Sequence, residues 1–102
     1  PEAFRITSNS LYPNPAKDII NLRLSHNRPG EDLQFEIAFF DVSGKLMAKE
    51  IRDCYSCEKE VNFGMNLETY LTQEGRYLYK INAIQISNSG KSHKGGRLLF
   101  WK

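Results

Sequence analysis

The feature that most constrains this chain is a strict alternation of apolar and polar side chains, cut into short runs by glycine and proline. In LQFEIAFFD (residues 33–41), Phe35, Ile37 and Phe39 share one parity while Gln34, Glu36 and Ala38 take the other. Strand side chains point to opposite faces in turn, so a period of two sets one parity against a core. The same pattern puts Ile20, Leu22 and Leu24 on one face of a second strand, and Tyr77, Tyr79, Ile81 and Ala83 on one face of GRYLYKINAIQI, the longest run. DVSGK (41–45) reads as a hairpin connection with Gly44 in the left-handed position, returning into KLMAKEIRD as the partner strand. Val61 and Phe63 suggest a short strand, NLETYL a single helical turn capped by Asn66, and RLLFWK a last strand with Leu98 and Phe100 on one face. HNRPGED (26–32) is a turn, and SNSGKSHKGG (87–96) is expected as a polar, glycine-rich hairpin loop. Six or seven short strands with one helical turn predict an all-β sandwich and exclude a βαβ fold.

The prolines of LYPNP, Pro13 and Pro15, fix φ, lack an N–H and push their predecessors toward extended geometry. They predict a stiff entry into the strand that starts near Ile20. At 102 residues there is room for one core, and 40% hydrophobic with 25% charged residues is the balance of a globular domain. No run is apolar enough to span a membrane as a helix and no signal peptide opens the chain; a start at Pro1 reads as a fragment of a longer protein, with any export signal upstream.

A net charge of +2 is too mild to name a nucleic-acid or membrane partner, but its distribution is uneven. All 12 acidic residues lie at or before Glu74, leaving Arg76, Lys80, Lys91, Lys94, Arg97 and Lys102 unopposed in sequence. That basic quarter is either a solvated edge strand or a recognition surface. Phe100 and Trp101 could stack on bases, yet Phe100 is better used in the core, and nucleic acid is not expected.

Catalytic patterns are missing. Cys54 and Cys57 in CYSC, with isolated His26 and His93, do not have zinc-finger spacing, and no βαβ unit surrounds the pair to make it redox-active. The cysteines are left as a local disulfide or two free thiols. Both histidines fall in polar loops, where solvated side chains are expected. No nucleophile elbow, phosphate loop or HExxH helix occurs, so neither an enzyme nor a cofactor is expected. Tyr12, Tyr77 and Tyr79 could form a platform for sugars, which keeps a carbohydrate-binding or adhesive module as the alternative, although tyrosines at strand period more often pack a core.

Four segments, LYPNPAKDIINLRL, FFDVSGKLM, EGRYLYKI and KGGRLLFWK, in that order resemble the C-terminal sorting domain of the type IX, or Por, secretion system of Bacteroidetes. The resemblance implies an immunoglobulin-like antiparallel β-sandwich of about seven strands that directs an upstream cargo in the same polypeptide through the periplasm and across the outer membrane to the cell surface. It implies the type IX translocon and a sortase-like peptidase as partners, without direct membrane insertion. Its late G-x-Y motif falls on Gly75 and Tyr77 and its terminal basic strand on Lys94, Arg97 and Lys102, the expected recognition residues, with two glycines interposed in KGGR. Passage through an oxidising periplasm implies a bridge between Cys54 and Cys57. The resemblance spans residues 11–102, which it implies as the sorting domain, with 1–10 as a linker from the cargo and the two prolines stiffening the junction between them.

Overall fold

The computed structural model describes residues 3–13, 18–71 and 73–100. Among these, seven strands and one helical turn follow in the order β1 (Ile6–Tyr12), β2 (Ile19–His26), β3 (Leu33–Phe40), β4 (Leu46–Cys54), β5 (Glu60–Asn66), α1 (Leu67–Tyr70), β6 (Gly75–Gln85) and β7 (Lys91–Phe100). They form two antiparallel sheets, ordered β1-β2-β5 and β4-β3-β6-β7. This is the expected immunoglobulin-like sandwich, with a fourth strand added beside β3.

The parity of the sequence becomes the core. Ile20, Leu22 and Leu24 of the small sheet face Phe35, Ile37, Phe39, Ile81 and Ala83 of the large one, each no more than 1% exposed. Phe35 meets Phe63 of β5 across the sandwich, with ring centroids 5.5 Å apart. The predicted cap is present: the Asn66 side chain accepts a hydrogen bond from the Glu68 amide at 3.0 Å. In the 41–45 turn, Gly44 has φ +90° and Asp41 Oδ1 accepts from Ser43 N, Ser43 Oγ and Lys45 N. The Ser43 hydroxyl and then the Lys45 amide hold the Asp41 carboxyl below its ordinary pKa.

Three expectations need correction. Residues 1–10 are not only a linker: β1 starts at Ile6, and Phe4 and Ile6 are buried. The signal is scrambled because the β1–β2 register slips between Ile6 and Ser8, a bulge that puts Ile6 and Leu11, of opposite parity, into one core. The proline segment therefore connects β1 to β2, which pair as neighbours with Tyr12 opposite Asn21, and does not mark a junction before the domain. Pro13 follows a cis peptide bond, while Pro15 lies outside the described residues.

The second correction concerns the 87–96 loop. β7 already begins at Lys91, and the hairpin turn shrinks to residues 86–90. Here the ladder to β6 decides, not the side chains: pairing runs without a break from Ile84↔Lys91 to Gly75↔Phe100. The third concerns His26, which ends β2 and is fully buried. Its Nδ1 accepts from the Arg28 amide at 3.0 Å, so Nε2 carries the proton and donates to the Glu58 carbonyl at 2.6 Å. Burial pushes its pKa below the ordinary histidine value, against the raising effects of the Glu58 carbonyl and the Glu31 charge.

Candidate recognition surface

The basic quarter folds into the β6–β7 hairpin, with β7 at the edge of the large sheet. Register sorts its residues into two rows. The core-side row carries Tyr77, Tyr79, Ile81 and Ala83 on β6, opposite Leu98, Gly96, Lys94 and Ser92 on β7. The outer row carries Arg76, Leu78, Lys80, Asn82 and Ile84, opposite Leu99, Arg97, Gly95, His93 and Lys91.

The expected recognition residues are thereby divided. Tyr77 is 6% exposed, packs edge-on against Phe100 at 6.4 Å, and donates its hydroxyl to the Gln73 carbonyl at 2.5 Å. A tyrosine near the start of the sixth strand bonded to backbone just upstream is the tyrosine corner of immunoglobulin-like sandwiches. Burial, and secondarily the Asp41 charge, raises its pKa. Gly75 has φ +150° with nothing near its missing Cβ, so backbone geometry alone favours glycine there. Lys94 is exposed on the core-side row of the edge, a placement that discourages a further strand from adding on. Arg97 is exposed on the outer row with Arg76 and Lys80, and Lys102 lies outside the described residues. Arg97 therefore shares a face with Arg76 and Lys80, not with Tyr77 or Lys94.

The glycine pair of KGGR has a packing cause. A Cβ on Gly96 would stand 2.6 Å from the Tyr79 hydroxyl oxygen and 2.7 Å from its ring, and one on Gly95 would stand 2.9 Å from the Tyr79 carbonyl. The Tyr79 ring lies across β7 at this point, and its hydroxyl accepts from Asn9 Nδ2 of β1 at 2.8 Å. Tyr77 and Tyr79 are core residues, while Tyr12 is 39% exposed on the small sheet with its hydroxyl bonded to Asn62 at 2.7 Å. The three tyrosines do not form one platform.

At the end of the hairpin nearest Gly75, the outer row carries a groove of about 590 Å³ between Val42, Leu78 and Leu99, flanked by Arg76 and Arg97. Leu78 and Val42 were not among the expected residues. The signal for Leu78 is the off-parity of a strand whose core parity is already filled by tyrosines, legible only once strand limits are known, whereas Val42 is a turn residue that strand parity does not reach.

Cys54 and Cys57 are joined as a disulfide with Cα atoms 5.2 Å apart, at the opposite end of the sandwich, where Leu33 pairs with both Cys54 and Gln85. Cys57 donates its amide to the Glu31 carbonyl and accepts from the Gly30 amide, and Ser56 N bonds Asp32 Oδ1. The loop so held reaches the β6–β7 turn through Ile86 N to the Asp32 carbonyl and Gln85 Nε2 to Glu31 Oε1 at 2.8 Å. Among the described residues, no three His, Cys, Asp or Glu side chains cluster as a metal site, and no helix is long and apolar enough to cross a membrane.

Comparison with known proteins bears on this surface. A family model described as a secretion system C-terminal sorting domain matches residues 10–93. No curated protein matches the chain. Among solved structures, dimeric latent PorU from Porphyromonas gingivalis is similar at 24% identity and TM-score 0.75, over 90% of this chain and 9% of that one. A family 76 glycoside hydrolase from a bovine Bacteroides thetaiotaomicron strain is similar at 18% identity and TM-score 0.60, over 93% of this chain and 20% of that one. The chain thus spans a small part of either protein, and at these identities the likeness is one of fold.

Proposed function

Because the chain belongs to the Por secretion system family of C-terminal sorting domains, we propose that it is the non-catalytic address of a larger exported protein, directing its cargo across the outer membrane to the cell surface. The family match carries this reading. The exposed cations of β6 and β7 support it physically, since they give export machinery a surface that does not depend on the cargo. The type IX translocon and a sortase-like peptidase are the proposed partners. The carbohydrate-binding alternative gains nothing from the buried Tyr77 and Tyr79.

The test is export of a reporter fused upstream of this chain in a host with an active type IX system. Deleting residues 94–102 also removes Leu98 and Phe100 from the core, so the truncated protein loses stability as well as its cations. The sharper variant is Lys94→Gln with Arg97→Gln, both exposed. Retention of the folded variant fusion in the periplasm is expected, and undiminished surface display would refute the role given to these cations.

A further inference from the structure

The groove beside Gly75 is a checkerboard. Arg76 sits opposite Leu99 and Leu78 opposite Arg97, so cationic and apolar side chains occupy alternate corners of one outer-face rectangle. Strands lie about 4.8 Å apart and same-face side chains about 6.7 Å apart along a strand, which puts the bases of the two arginines about 8 Å from each other. Val42 from the 41–45 turn, 76% exposed, closes one side, and Leu78 is itself 44% exposed. We infer that this groove docks an extended peptide segment that alternates carboxylate and apolar side chains along one face.

The match is one of period and of charge. An extended chain presents same-face side chains at about 6.7 Å, so a carboxylate over Arg76 brings the residue two further on over Leu78, and the column of Leu99 and Arg97 accepts the same pattern reversed. Guanidinium forks suit carboxylates, and Lys80, next on the outer row of β6, extends the cationic edge. A compact phosphate bridging the two guanidinium groups would leave Leu78, Leu99 and Val42 uncovered, which is why a peptide fits better than an anionic headgroup. The inference deepens the sorting reading and rests on it only for its biological meaning, because it names the chemistry the groove should bind.

The test is fluorescence anisotropy of this chain with a labelled, terminally blocked octapeptide, Glu-Thr-Leu-Thr-Glu-Thr-Leu-Thr, whose one face carries both side-chain types. Saturable binding is expected, weakened about tenfold or more by Arg76→Gln with Arg97→Gln. Leu78→Thr should also weaken it, and Lys49→Gln on β4 should leave it unchanged, with all variants melting near the parent. Absence of saturable binding would overturn the inference. So would equal binding of a peptide with lysine for glutamate or with the two types on opposite faces, insensitivity to the arginine changes, or binding only to phosphatidylglycerol vesicles. Loss of peptide binding in an Arg76→Gln, Arg97→Gln fusion that is still exported leaves the sorting role standing and removes the groove from it; periplasmic retention of a fusion to the parent chain, which binds the peptide, leaves the ligand chemistry standing and removes the sorting role.

Discussion

At the scale of single residues, the sandwich explains side chains that the family resemblance alone would assign to recognition. Tyr77 closes a corner onto Gln73, and Gly96 exists to let the Tyr79 ring cross the edge strand. Gly96→Ala should therefore destabilise the fold by about 1–3 kcal/mol, the range for forcing extra volume into a packed site. A thermal melt checks this: an unchanged midpoint would mean that the ring has room to move, and Tyr79→Leu in the same background should recover part of the loss. The effect is steric. Neither glycine need touch a partner to matter for secretion, since a domain that unfolds presents no surface at all.

At the scale of elements, what could be read from the sequence depended on whether a strand had a partner on both sides. β2, β3 and β6 carry unbroken alternation because each lies between two neighbours and buries one full row, so Phe35, Ile37 and Ile81 announce themselves. The edge strands do not. In β1 the bulge reverses parity between Ile6 and Leu11, and in β7 the core-side positions before Leu98 are Ser92, Lys94 and Gly96, which reads as a loop. The candidate surface was legible only as a count of cations, because which of them share a face follows from register. One consequence is testable: a chain starting at residue 11 loses Phe4 and Ile6 from the core and exposes an edge of β2. Relative to a chain starting at residue 3 it should lose more than about 4 kcal/mol in urea unfolding, a large share of a small domain's stability. Equal midpoints would restore the linker assignment.

At the scale of the whole molecule, the two ends of the sandwich are built differently. The end away from the groove is a latch. The Cys54–Cys57 bridge, the 28–32 loop, the 86–90 turn and buried His26 are tied together there by backbone hydrogen bonds, including His26 N to the Lys59 carbonyl. The groove end, held by the Tyr77 corner and the 41–45 turn, exposes Val42, Leu78 and Arg97. Acid should act through the latch. His26 has a folded pKa below its unfolded value near 6.5, so the unfolded chain binds a proton first as pH falls. Its contribution is complete above about pH 6.5 and shrinks as pH drops from there toward the folded value, where the imidazolium would face the Arg28 amide it now accepts from. The melting temperature of the parent should fall between pH 7.5 and 5.5 more steeply than that of His26→Gln, which is less stable at pH 7.5 but has no imidazole to titrate. Parallel slopes would mean that His26 gains its proton equally in both states. Because the strands between latch and groove run about 25 Å, peptide binding by molecules still folded at pH 5.5 should keep its arginine dependence.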